Sequence, residues 1–123
     1  MTKINSFGEL LVWEKSMDVA ERSYRLSRRF KREDQLALGH EIRKSGVSVP
    51  SNIAEGFGRH HTGEYIHHLW LANGSNNELQ TQLEIGRRVE IVTVAEADAL
   101  IADAEEVGPM LRGLVASLER GRA

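Results

Sequence analysis

The chain contains no cysteine. That one absence excludes disulfides, thiolate metal sites and cysteine nucleophiles together, and it fits a reducing compartment. No apolar run approaches the roughly 20 residues that would cross a bilayer, so no membrane span is expected. Proline is scarce, with only Pro50 and Pro109, which leaves long stretches free to be helical. Aromatic residues make up 6% of the chain. There is also no excess of positive charge: the formal net charge is −2, which argues against bulk nucleic-acid binding. The start, Met1-Thr2-Lys3-Ile4-Asn5, is polar and has no signal-peptide core. The expectation is a bacterial-type cytoplasmic protein.

What is present is a chain of 123 residues, 41% of them hydrophobic, enough for one domain over 1–123 with one core. Ser6-Phe7-Gly8-Glu9 has the form of a capping box. After it, Leu10, Trp13, Met17, Ala20, Tyr24, Ser27 and Phe30 recur at spacings of three and four, the mark of one helical face. Asp34 is the candidate N-cap of a second helix, with Leu38, Ile42, Val49, Ile53 and Phe57 facing inward and Gly46 in the gap. Pro50 falls inside that pattern. It removes one helical hydrogen bond and crowds the carbonyl of Gly46, so the second helix is predicted to kink there rather than divide.

Thr62 is a candidate cap for a third helix, which buries Tyr65, Leu69, Ala72, Leu79, Leu83 and Gly86 and ends near 89–91. The polar Asn76 interrupts its stripe. Thr93-Val94-Ala95-Glu96 is a second capping box, followed by the cleanest amphipathic stripe, from Ala97 through Leu118, with a local bend at Pro109. Short connections make successive helices antiparallel neighbours. The predicted fold is all-α: an antiparallel up-down four-helix bundle.

The sequence offers little to catalysis. Gly56-Phe57-Gly58 lacks the third glycine and the strand–loop–helix setting of a phosphate cradle, and suits a helix end. Four of the five histidines cluster at His60, His61, His67 and His68. Glu64 and His67 have the Glu-x-x-His spacing of di-iron bundles, but no second such pair exists to complete a site. No serine has a convincing His/Asp arrangement. The expectation is no enzyme, no cofactor, no metal and no small-molecule substrate.

Other patterns point to contact surfaces. Arg22, Arg25, Arg28, Arg29, Lys31 and Arg32 form a run with no acid between them, while the fourth helix carries Glu96, Asp98, Asp103, Glu105 and Glu106. Arg22, Arg25, Arg28, Arg29 and Arg32 are therefore RNA-phosphate candidates, against the plainer alternative of a solvated face complementing the helix dipole. Ser45, Ser48, Asn52 and Glu55 on the second helix, and Gly74, Glu78 and Gln82 on the third, form a polar seam, either inside the bundle or between subunits, with Pro50 aiming it. Ile66 and Trp70 lie off the main face of the third helix and are candidate interface residues.

At these residues a resemblance appears. Leu11-Val12-Trp13-Glu14-Lys15, then Ile42-Arg43-Lys44 with Val47-Ser48-Val49-Pro50-Ser51-Asn52-Ile53-Ala54-Glu55-Gly56-Phe57-Gly58-Arg59, and Ala72-Asn73-Gly74-Ser75-Asn76-Asn77-Glu78-Leu79-Gln80-Thr81-Gln82-Leu83 resemble the family of 23S rRNA intervening-sequence proteins. That family includes accessory proteins of diversity-generating retroelements. The chain departs from the family pattern at Ser45-Gly46, His68 and Asn76. The resemblance implies a four-helix bundle assembled as a ring-like homopentamer, without enzymatic activity of its own. It also implies, for the retroelement members, RNA or ribonucleoprotein partners; many members stand alone with no known role. Two function classes stay open: an oligomeric scaffold binding RNA or a ribonucleoprotein, and a protein-only assembly module. In the second, the acidic fourth helix and Trp70 are expected to meet protein partners; in a ring, the basic first helix and acidic fourth helix are expected to meet between neighbouring subunits.

Overall fold

Apolar side chains three and four residues apart fold each long segment into a helix with one face to hide. The computed structural model describes residues 4–122, and the polar stretch Met1–Lys3 lies outside them. A 3₁₀ turn over Phe7–Glu9 leads into α1 (Leu11–Arg28) and the short α2 (Arg32–Leu36). Three longer helices follow: α3 (Leu38–Phe57), α4 (Thr62–Arg88) and α5 (Val94–Arg122). Among the described residues there is no strand.

The four long helices form a closed square in which α1 and α4 each pack on both α3 and α5. Every neighbouring pair counts in opposite directions. Ala20 lies by Gly46 and Ser27 by Arg43. Ser48 lies by Ser75 and Asn52 by His68. Asn76 lies by Ala104 and Arg87 by Asp98. Arg22 lies by Asp103 and Arg29 by Glu96.

The core falls into two clusters. One gathers Val19, Leu26, Phe30, Ile42, Leu79, Leu83 and Leu100; the other gathers Val12, Val49, Ile53, Leu69, Val107, Leu111 and Val115. Each fully buried aliphatic side chain contributes about 1.5–3 kcal/mol. Between Ala72 of one cluster and Leu79 of the other sits Asn76, 1% exposed, donating to the Ala104 carbonyl at 2.8 Å. Its amide is satisfied, so its place in the stripe is part of the packing.

The inward face of α1 differs from the predicted one. Val12, Ser16, Val19, Ala20, Ser23, Leu26 and Ser27 are buried, while Met17 and Tyr24 are 41% and 43% exposed. Small serines let the backbones of α1 and α3 close together where Gly46 meets Ala20. Their hydroxyls need no outside partner where they turn back on their own helix: Ser16 donates to the Trp13 carbonyl at 2.8 Å and Ser27 to that of Tyr24 at 2.7 Å.

The second segment also starts differently. Asp34 lies in the first turn of α2, not at an N-cap, and the backbone breaks at Ala37 (φ −103°, ψ −98°) before α3 begins. Gln35 fixes this corner: its amide donates to the carbonyls of Arg28 and Phe30, and its own carbonyl accepts from Arg43 at 2.9 Å. Pro50 lies inside α3, which runs unbroken to Phe57.

Of the expected caps, Thr93 and Glu96 form the reciprocal box, with the Glu96 N–H donating to the Thr93 hydroxyl at 3.1 Å and the Thr93 N–H to the Glu96 carboxylate at 3.3 Å. Ser6 makes no capping bond; the Glu9 carboxylate accepts instead from the Asn5 N–H at 3.2 Å. Thr62 is already helical, and His61 holds the cap position without a side-chain bond. The α4–α5 turn passes through Glu90 at φ 66°, and the Ile91 and Val92 N–H groups both close onto the Gly86 carbonyl.

Candidate interaction surfaces

The large apolar side chains that α1 does not bury line something else. Trp13, Met17 and Tyr24 face Val47, Pro50 and Ala54 of α3 across an open groove of about 550 Å³. The small residues beneath it bring the two backbones close, and the larger side chains above stand apart. Phe7 meets Trp13 edge-on at a centroid distance of 5.2 Å. Glu21, Arg25 and Arg28 edge the other end, where Arg25 pairs with Glu21 at 3.2 Å and Arg28 makes no ion pair among the described residues. The Arg43 guanidinium lies 5.8 Å from the Tyr24 ring centroid. Each Å² of apolar surface the groove leaves in water forgoes about 25 cal/mol. Sequence reasoning assigned Trp13, Met17 and Tyr24 to the core. The signal that separates them is a second apolar series on α3, Val47, Pro50 and Ala54, offset from Ile42, Val49 and Ile53.

The polar seam is only partly where the sequence placed it. Ser48 and Ser75 share a hydrogen bond of 2.8 Å, and the Asn52 amide donates to both the carbonyl and the hydroxyl of Ser48 at 3.0 Å. Asn52 Oδ1 lies 3.1 Å from His68 Nδ1; since that oxygen only accepts, Nδ1 carries the proton. The network thus joins α3 to α4 within one chain. Glu55 points away and pairs with Arg59. Gly74 and Glu78 are exposed and outside the network, whose α4 members are Ser75 and His68. Gln82 is half-buried, and its Oε1 has no hydrogen-bond partner among the described residues, as is true of Asn73 Oδ1 and Ser23 Oγ.

Ile66 is buried, 6% exposed, in the cluster around Leu69, so it offers no outer surface. Trp70 and Leu71 do, at 46% and 43% exposed.

The basic run divides in two. Arg22 donates to Asp18 at 2.8 Å and to Asp103 at 2.5 Å, Arg25 pairs with Glu21, and Arg29 with Glu96. Lys15 adds bonds to Asp103 at 3.1 Å and Glu106 at 2.8 Å. Arg22, then Lys15, holds the Asp103 carboxyl below its ordinary range, and Arg29 does the same for Glu96. The basic and acidic faces therefore meet inside the chain, across α1 and α5, which corrects the expectation that they join subunits. Arg28 and Arg32 make no ion pair among the described residues.

His60 and His61 are exposed in the α3–α4 turn, and His67 is exposed on α4. No group of three or more His, Asp or Glu among the described residues is placed to hold a metal ion. No helix among them is long and apolar enough to cross a membrane.

These features define a helical bundle with an open apolar groove on one side, a polar network joining α3 to α4 and an ion-pair lattice joining α1 to α5. The chain belongs to the 23S rRNA-intervening sequence protein family, whose model matches residues 8–113. The crystal structure at 1.70 Å of a protein of unknown function from the S23 ribosomal protein family of Bacteroides thetaiotaomicron VPI-5482 has the same fold. It aligns with a TM-score of 0.78 at 24% identity, covering 85% of this chain and 98% of that one. No curated protein matches the chain.

Proposed function

We propose that the protein is a non-catalytic assembly module that works in the cytoplasm as a homo-oligomer, without cofactor, metal or small-molecule substrate. The observation that carries this reading is the groove between α1 and α3, where Trp13, Met17, Tyr24 and Val47 remain partly in water inside well-formed helices. Covering such a surface is the largest favourable term that association has available. The ring of five implied by the family resemblance requires a heterologous contact, in which the groove meets a different surface of the next copy. Light scattering at micromolar concentration tests the reading. The expected mass is about five times the 13.8 kDa of one chain. A dimer or tetramer would remove the pentamer and keep the assembly; a single-chain mass would remove both.

A second reading, binding of RNA or a ribonucleoprotein, is favoured by the unpaired Arg28 and Arg32 with Lys31 between α1 and α2. Arg22, Arg25 and Arg29 contribute less free charge to it, being held by Asp103, Glu21 and Glu96. Retention of structured RNA at low salt, lost in Arg28→Glu/Arg32→Glu with a salt slope lowered by about 0.7–0.9 per contact, supports it. No retention by the unaltered protein at low salt removes it.

A further inference from the structure

We infer that the groove is filled by the outward ridge of α4 from a second copy of this chain, with Trp70 and Leu71 between Met17 and Tyr24 and with Glu78 against Arg28. The inference rests on the assembly reading above and says which surfaces meet. The ridge is the complementary shape: a convex helix carrying adjacent aromatic and aliphatic side chains, 46% and 43% exposed. One turn beyond Trp70 stands Gly74, where an added Cβ would find nothing within 4 Å. A helix bare at that point can sink its backbone close to a neighbour, and residues at spacings of three, four and seven are those a groove reads from a helix.

The register agrees. Leu71 and Glu78 are seven residues apart, about 10.5 Å along α4. From midway between Met17 and Tyr24 to Arg28 is about 11 Å along α1. A ridge laid parallel to α1 with Leu71 at the centre of the groove therefore brings Glu78 to the Arg28 end. The charges agree as well: Glu78 and Arg28 are both exposed, and neither makes an ion pair among the described residues. Groove and ridge belong to different helices of the square, so the contact is heterologous and repeats from copy to copy.

Charge exchange tests the pairing without touching the core. Arg28→Glu and Glu78→Arg should each weaken self-association about tenfold, measured by sedimentation at equal helicity, and Arg28→Glu/Glu78→Arg should recover most of the loss. The absence of cysteine allows a second test of position. Ser51→Cys, on the groove, mixed with His67→Cys, exposed on the ridge one turn before Leu71, should yield oxidised heterodimers, while neither variant should dimerise alone. If the unaltered protein is oligomeric but the exchange gives no rescue, or Ser51→Cys links to itself, the inference is overturned and the assembly reading stands. A monomeric unaltered protein overturns both.

Discussion

Replacing Gly56 by alanine separates local helix preference from tertiary fit. Gly56 lies one residue before the end of α3, where that helix crosses α4. In a helix the exchange alone gains up to about 1 kcal/mol, because alanine loses less backbone freedom on folding. Here the new Cβ would fall 2.8 Å from His68 Cβ, 3.0 Å from Tyr65 Cδ1 and 3.1 Å from the Tyr65 carbonyl oxygen. The last is backbone, so relief requires α4 itself to move. Overpacking of this kind costs about 2–3 kcal/mol, which leaves a net loss of about 1–2 kcal/mol and lowers Tm by about 5–10 °C. Gly113→Ala is the control, since nothing lies within 4 Å of its added Cβ. It should raise Tm by about 2–5 °C. Thermal unfolding followed by circular dichroism, at equal protein concentration, reads both. A rise in both variants would refute the close α3–α4 crossing at Gly56.

Two further outcomes follow from the ion pairs and from the groove floor. The depressed Asp103 carboxyl gives stability that is complete above the ordinary carboxylate range and is lost as pH falls through its lowered folded value. Asp103→Asn should therefore destabilise the protein near neutral pH by at most about 1 kcal/mol, the pairs being partly exposed, and the deficit should vanish in strong acid; a deficit independent of pH would contradict the assignment. Pro50→Ala should keep the helical circular dichroism spectrum and alter the oligomer mass, because Pro50 lines the groove; if stability and mass are both unchanged, Pro50 has no part in assembly.

Much of the fold is legible in the sequence because the inward stripes of α4 and α5 are long and regular. Leu69, Ala72, Leu79 and Leu83, and then Ala97, Leu100, Ala104, Val107 and Leu111, are all buried as their spacing requires. The box Thr93–Glu96 is legible for a local reason: both partners lie within one turn. The misassigned face of α1 has the opposite cause. Two stripes coexist on that helix, and the more hydrophobic one, Trp13, Met17 and Tyr24, lines the groove, while the core takes serines that only a close-packed α3 makes room for. Nothing within α1 states which stripe wins; the choice is made by Gly46 and Ser45 on the facing helix. The corner at Ala37 is hidden similarly, since it depends on Gln35 and Arg43 reaching carbonyls on other elements. The basic run was visible, but its neutralisation required knowing that α1 and α5 are neighbours.

The assembly claim is tested most directly by the mass in solution of Met17→Glu. Met17 is 41% exposed and outside the core, so the substitution leaves the folded chain intact while placing a carboxylate in the apolar groove. Desolvating that charge in a contact costs about 3 kcal/mol or more, a hundredfold or greater loss of association. Sedimentation equilibrium beside the unaltered protein, with helicity matched, should find an oligomer for the unaltered chain and a 13.8 kDa species for the variant. An unchanged oligomer mass in Met17→Glu would contradict the assignment of the groove as the surface through which this protein assembles.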